Sequence, residues 1–263
     1  MGDLIIHGDV YAGLRELPSR VRLVITSPPY WRQRDYGFEG QVGREPTPES
    51  YIGRLSSIFD VLREELTDDG VLFLNVGDKY LPKYGKSHLL QIPYRLALEM
   101  VRRGWRLLDV LIWYKPNHMP SPARDRFTNT YEPILVFSKS SQSIYVRGSP
   151  VLKIKLEQTP WRHTAVFPTG LVRALLARVR LGEGDVILDP FAGTGTVAAV
   201  VSEDRGRRIP RVRWVMIEGC EEFVRVILSR VGRVEVTKVH YEPYEWSPAG
   251  EVALPEAEPI ILA

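Results

Sequence analysis

Val186-Ile187-Leu188-Asp189-Pro190-Phe191-Ala192-Gly193-Thr194-Gly195-Thr196 reads as a short buried strand, an acid at its end and a glycine-rich turn opening into the apolar run 197–201. Glycine lets a backbone approach a ligand closely and adopt left-handed geometry. Ligands of open α/β sheets bind at the carboxyl ends of the strands. The turn lacks the Lys of a Walker phosphate cradle and does not follow G-x-G-x-x-G. Trp214-Val215-Met216-Ile217-Glu218 follows as a second apolar run ending in an acid. An acid so placed can accept both hydroxyls of a ribose. Taken alone, the glycine loop also fits a plain α/β turn.

Outward from this stretch the chain keeps an α/β rhythm. Strand-like runs fall at 4–6, 21–26, 71–76, 107–113, 133–137, 186–189 and 213–217. Between several of them apolar residues recur at helical spacing: Ile52, Leu55, Phe59, Leu62 and Leu66; Leu171, Leu175 and Val179; Phe223, Ile227 and Val231. Such alternation predicts an α/β fold, a mostly parallel sheet covered by helices on both faces. No internal repeat is visible.

The run 21–26 ends in Ser27-Pro28-Pro29-Tyr30. Neither proline can donate a backbone hydrogen bond, and each holds the residue before it extended. The carbonyls of Ser27 and Pro28 are thus left at a strand end beside a hydroxyl and an aromatic ring. That set suits an exocyclic amine on a flat base, with acceptors for two N–H groups and a ring to stack on. Pro-Pro also marks ordinary turns.

Together these motifs resemble the S-adenosylmethionine-dependent DNA amino-methyltransferases, in the permuted group whose catalytic tetrapeptide precedes the cofactor loop. Further segments match that family in order. Ile5-Ile6-His7-Gly8-Asp9 resembles the segment whose acid contacts the cofactor's adenine. Gly70-Val71-Leu72-Phe73-Leu74-Asn75 resembles the strand behind the catalytic one. Trp113-Tyr114-Lys115-Pro116-Asn117, Arg124-Asp125-Arg126 and Tyr131-Glu132 resemble the segment around the flipped base. His163-Thr164-Ala165-Val166-Phe167-Pro168 resembles the helix entry that closes the methionine end of the cofactor.

The resemblance implies a Rossmann-like methyltransferase fold, a seven-stranded sheet with one antiparallel edge strand in the hairpin of runs 107–113 and 133–137. It implies catalysis by Ser27, Pro28, Pro29 and Tyr30. The cofactor residues implied are Asp9, His163, Phe167, Pro168, Asp189, Phe191, Ala192, Gly193, Gly195, Thr196 and Glu218. Ser at the head of the tetrapeptide usually accompanies cytosine N4, whereas Asp or Asn accompanies adenine N6. Adenine N6, structured RNA and a non-catalytic DNA-binding role stand as alternatives. Trp31, Arg32, Lys115, Arg124 and Arg126 are the expected contacts to double-stranded DNA, because base flipping and phosphate contact need interleaved aromatics and cations.

The catalytic domain is expected over 1–244, with a small target-recognition insertion at 138–162 and an extended tail at 245–263. An insertion this short implies a short recognition site or help from a partner subunit such as a second copy. The one cysteine, Cys220, excludes a disulfide framework. It has no preceding proline, which argues against carbon-5 methylation through a Cys nucleophile. The five histidines show no metal-ligand spacing. Net charge +3 is compatible with nucleic acid without requiring it. No signal peptide and no long apolar span appear, so a cytoplasmic protein is expected, without membrane or metal.

Overall fold

The structure, a computed structural model, describes residues 2–37, 40–83, 86–158 and 167–240. In chain order the elements are β1 (Leu4–His7), α1 (Val10–Arg15), β2 (Val21–Thr26), α2 (Pro48–Glu65), β3 (Leu66–Asn75), β4 (Tyr80–Lys83), β5 (Lys86–Leu89), α3 (Ile92–Arg102) and β6 (Arg106–Tyr114). There follow β7 (Tyr131–Ser138), β8 (Val151–Lys153), α4 (Thr169–Leu176), β9 (Val186–Asp189), α5 (Thr196–Asp204), β10 (Arg213–Glu218), α6 (Glu221–Val231) and β11 (Glu235–Lys238).

The inner strands are apolar on successive residues because both of their faces are covered. In β2, Val24 faces one core with α1, α2 and α3, while Leu23 and Ile25 face a second core with α4, α5 and α6. In β3, Leu72 and Leu74 join the first core, Val71 and Phe73 the second. The α2 helix starts at a reciprocal cap, in which Thr47 Oγ1 accepts from Ser50 N and Ser50 Oγ from Thr47 N, each at 3.1 Å.

The sheet has nine strands, in the order β11-β1-β10-β9-β2-β3-β7-β6-β8, where seven were expected. The seven expected strands are contiguous, and the two additions lie at the edges. The three residues of β8 pair in parallel with β6, and β11 is exposed at every position, so neither carries the apolar run that marks a buried strand. A single strand of the large sheet, β7, runs against the others, as expected, but inside the sheet: it pairs antiparallel with both β3 and β6. The hairpin folds β6 onto the outer side of β7, and β8 then covers β6.

The expected recognition insertion thus lends a strand to the domain, with Ile144 and Leu152 buried. Its last residues, and the tail 245–263, lie outside the described residues. Among the described residues no helix is long and apolar enough to cross a membrane.

This topology brings the carboxyl ends of β1, β10, β9, β2, β3 and β6 to one edge of the sheet. The reversed strand β7 brings its amino end there, so Tyr131 and Glu132 stand beside Lys115.

Candidate active site

A cavity of about 650 Å³ opens along that edge. One half of it is acidic. Asp189 closes β9, and its Oδ1 accepts from Thr26 Oγ1 at 2.7 Å and from Phe191 N at 3.1 Å. Glu218 closes β10, with Oε2 accepting from Gly193 N at 2.7 Å and Oε1 from Cys220 N at 2.8 Å. Each carboxylate keeps lone pairs for a guest. Burial pushes both acids up to about 7.

The turn between them uses its two glycines differently. Gly193, at φ +53°, faces open cavity, with nothing near where a side chain would begin. Gly195, at φ +72°, begins α5 so close to α6 that a Cβ would stand 2.7 Å from Ile227 Cγ1. Gly195 is therefore a packing residue and does not line the cavity. Phe191, Ala192 and Thr196 do line it, as do Tyr36 and Phe223, whose rings meet edge to face at 6.0 Å. Asp9 also lines it while capping α1, its Oδ1 accepting from Tyr11 N at 2.9 Å and Ala12 N at 3.2 Å.

The other half is built by the tetrapeptide. Ser27 Oγ donates to Tyr30 Oη at 3.2 Å. Tyr30 Oη in turn lies 2.8 Å from Glu132 Oε2 and 3.0 Å from Asn75 Oδ1, and Asn75 Nδ2 is held by the Pro133 carbonyl at 3.1 Å. Burial, then the Glu132 charge, pushes the Tyr30 phenol well up, so it stays a donor. Ser27, its own proton given away, keeps its lone pairs for a guest. The carbonyl of Pro29 accepts from Tyr51 Oη at 2.8 Å. That of Pro28 accepts nothing among the described residues. The Tyr30 ring packs against Gly77, where any side chain would strike it.

Two of the expected DNA contacts are placed otherwise. Trp31 is buried, with its indole nitrogen donating to the Glu45 carbonyl at 2.9 Å, so it anchors the loop after the tetrapeptide and cannot reach a base. Lys115 turns into the cavity, pairs with Glu132 and lies 4.5 Å from the Trp113 ring centre, so it is no phosphate clamp. Arg32 is exposed on the loop surface, donating to the Pro46 carbonyl at 2.9 Å. Arg124 and Arg126 stand on the exposed 116–130 loop. Phe167 lines the cavity, Pro168 is buried just before α4, and His163 lies outside the described residues.

Asn75 and Glu132 complete the polar cluster although neither was marked as a site residue. Their signal was polarity at the ends of apolar strands. The loop that carries Trp31 and Arg32 is held down by a buried pair: Arg54 Nη1 on α2 donates to Glu45 Oε1 at 3.1 Å and to the Gln41 carbonyl at 3.2 Å. Gln41 Oε1 accepts from Tyr36 N at 2.7 Å, which sets the Tyr36 ring beside Glu218. Among the described residues no cluster of three His, Cys, Asp or Glu side chains could hold a metal.

Residues 21–229 match the family model described as DNA methylase. The chain belongs to this family. It is 56% identical over 261 residues to the Type II methyltransferase M.MwoI of Methanothermobacter wolfeii, covering 98% of this chain. The chain spans only 39% of the length of that relative. With M.Cfr9I, a Type II methyltransferase of Citrobacter freundii, it shares 34% identity over 272 residues, 88% of either protein. Solved DNA methyltransferase structures share the fold. The PvuII DNA methyltransferase (cytosine-N4-specific) superposes with a TM-score of 0.68 at 18% identity, covering 90% of this chain and 95% of that one. The putative DNA modification methylase TTHA0409 of Thermus thermophilus, complexed with S-adenosyl-L-methionine, gives 0.64 at 21% identity, with 90% and 99% covered.

Proposed function

We propose that this chain is an S-adenosylmethionine-dependent DNA methyltransferase that methylates the N4 amine of a flipped-out cytosine. The observation that carries the reading is Ser27: its proton is engaged by Tyr30, its oxygen is free to accept, and it shares one cavity with the acidic, glycine-lined half.

The residues of that half fit the cofactor. Gly193 leaves room for the methionine part, Glu218 can accept both ribose hydroxyls, and Tyr36 with Phe223 offers rings to the adenine. Asp9 and the Phe167–Pro168 entry flank it. S-adenosylmethionine supplies an electrophilic methyl group on a sulfonium.

A base amine is a poor nucleophile because its lone pair is delocalised into the ring. Ser27 Oγ and the Pro28 carbonyl accept its two N–H groups, which localises the lone pair on nitrogen and faces the developing positive charge with fixed acceptors. Holding the amine in line contributes the rest. For the methyl gained, the nitrogen must lose a proton. Ser27 Oγ, Tyr30 Oη and Glu132 Oε2 form a chain of hydrogen bonds from the amine to a carboxyl group, which Lys115 pairs with at the far end. Sequence recognition is assigned to 138–162 and the loop after the tetrapeptide.

Transfer of labelled methyl from S-adenosylmethionine to duplex DNA, with matched RNA as control, tests the reading. Label in DNA supports it, while label in RNA alone or in neither polymer overturns it.

The two acids make the cofactor affinity pH-dependent. Both have folded pKa values of about 7, above the ordinary carboxylate range. Their contribution to stability is therefore complete below that range and is lost as pH rises through 7. A cationic ligand bearing ribose donors favours the ionised acids. Affinity is expected to rise with pH up to about 7 and then level, with proton release on binding below it. Calorimetry in buffers of different ionisation enthalpy measures that release. An affinity flat from pH 5 to 8 contradicts it.

A further inference from the structure

The two most exposed large apolar side chains among the described residues, Phe127 at 96% and Met119 at 78%, stand on the same loop, between β6 and β7. Both ends of that loop enter the cavity, through Lys115 and Glu132. Phe127 is five residues from Glu132, at most about 18 Å of extended chain. We propose that Phe127 is a wedge that inserts between base pairs beside the target and holds the base out of the stack, an inference that rests on the DNA methyltransferase reading.

The loop presents this ring from a fixed base. Lys115 N donates to the Thr130 carbonyl at 2.8 Å, closing the loop at its neck. Asn117 Nδ2 donates to the Leu156 carbonyl at 3.0 Å, and Leu156 N returns a bond to Asn117 Oδ1 at 2.7 Å. Pro116, Pro120 and Pro122 stiffen what lies between. Next to the ring, the Arg126 guanidinium lies 4.7 Å from the Tyr80 ring centre. Arg124 and Arg126 precede the ring in the chain, with Arg126 paired to Asp125 at 3.1 Å, so cations that can meet phosphates stand on the amino-terminal side of the apolar tip. An exposed apolar side chain next to arginines, on a loop whose two ends line the cavity, matches how wedges unstack a duplex. An enzyme acting on a base amine must extrude that base. The ring supplies what the vacated stack lacks.

The test uses the full chain, a duplex carrying a site it methylates (located by sequencing DNA from cells that express it), and the same duplex with an abasic position opposite the target. Phe127→Ala is expected to lower the single-turnover rate roughly tenfold or more on the paired duplex. It should recover to within about twofold of wild type on the abasic duplex, where no pairing resists extrusion. With a fluorescent cytosine analogue at the target and no cofactor, the emission rise that reports unstacking should be lost in Phe127→Ala and kept in Phe127→Trp. Equal rates for wild type and Phe127→Ala on the paired duplex would overturn the wedge, and so would equal losses on both duplexes. A wild-type chain that methylates neither duplex overturns the parent reading and the wedge with it.

Discussion

Ser27→Ala lowers the single-turnover rate of methyl transfer by about 10²- to 10³-fold, the range for removing one fixed polar group that faces developing charge. DNA and cofactor affinities change far less, because the hydroxyl matters most as the amine becomes tetrahedral. The substitution also cuts the link between the amine and Tyr30 Oη at its first member. Tyr30 retains Glu132 and Asn75 as partners, so its ring should stay in place. Ser27→Asp is the sharper probe. It restores an acceptor, now charged, of the kind that accompanies adenine N6, and any N6-methyladenine it makes assigns part of the base choice to this position. Rapid-quench measurements on both variants supply the rates. An unchanged rate for Ser27→Ala would remove the hydroxyl from the mechanism.

Glu45→Ala should destabilise the protein by about 3–5 kcal/mol, because it leaves the Arg54 charge buried without its carboxylate. The pair is well buried, at 10% and 7% side-chain exposure. Glu45 Oε2 also accepts from Gly43 N at 2.8 Å, so its loss frees the loop at a second point. Since the loop carries Tyr36 to the cofactor half, cofactor affinity should fall as well. Replacing both partners by apolar residues should restore much of the stability without restoring that affinity, since Gln41 would still lack the Arg54 bond to its carbonyl. Denaturant unfolding of the single and double variants measures the coupling. A loss below about 1 kcal/mol for Glu45→Ala would place the pair among weak surface bridges.

What could be read from the chain followed burial. Most of the inner strands are covered on both faces and so are continuously apolar, which made them legible, while β6 was legible from its apolar run 110–113 although its start is open to solvent. The residues at their ends, Asp189, Glu218 and Ser27, were legible for the same reason: a polar group directly after a buried run has to be satisfied by something. Helix α3 escaped because Tyr94, Leu98 and Val101 are exposed while Leu96 and Met100 are buried, which blurs its stripe. Strands β8 and β11 are short edge pieces defined by pairing rather than by composition. Direction was the harder problem at the site. The cation of Lys115 looked like a phosphate contact until the reversed strand β7 placed Glu132 against it. Trp31 looked like a base contact, and only the fold of the loop onto α2 shows its indole bonded inward. The Arg54–Glu45 pair joins a helix to a loop, and no local pattern announces it.

The central claim is that Ser27 and Pro28 activate the amine of a cytosine. Purified chain incubated with unmodified duplex DNA and S-adenosylmethionine, followed by digestion to nucleosides and mass spectrometry, tests it most directly. The expected product is N4-methylcytosine, absent when the cofactor is withheld. N6-methyladenine as the sole methylated nucleoside, or 5-methylcytosine, would contradict it.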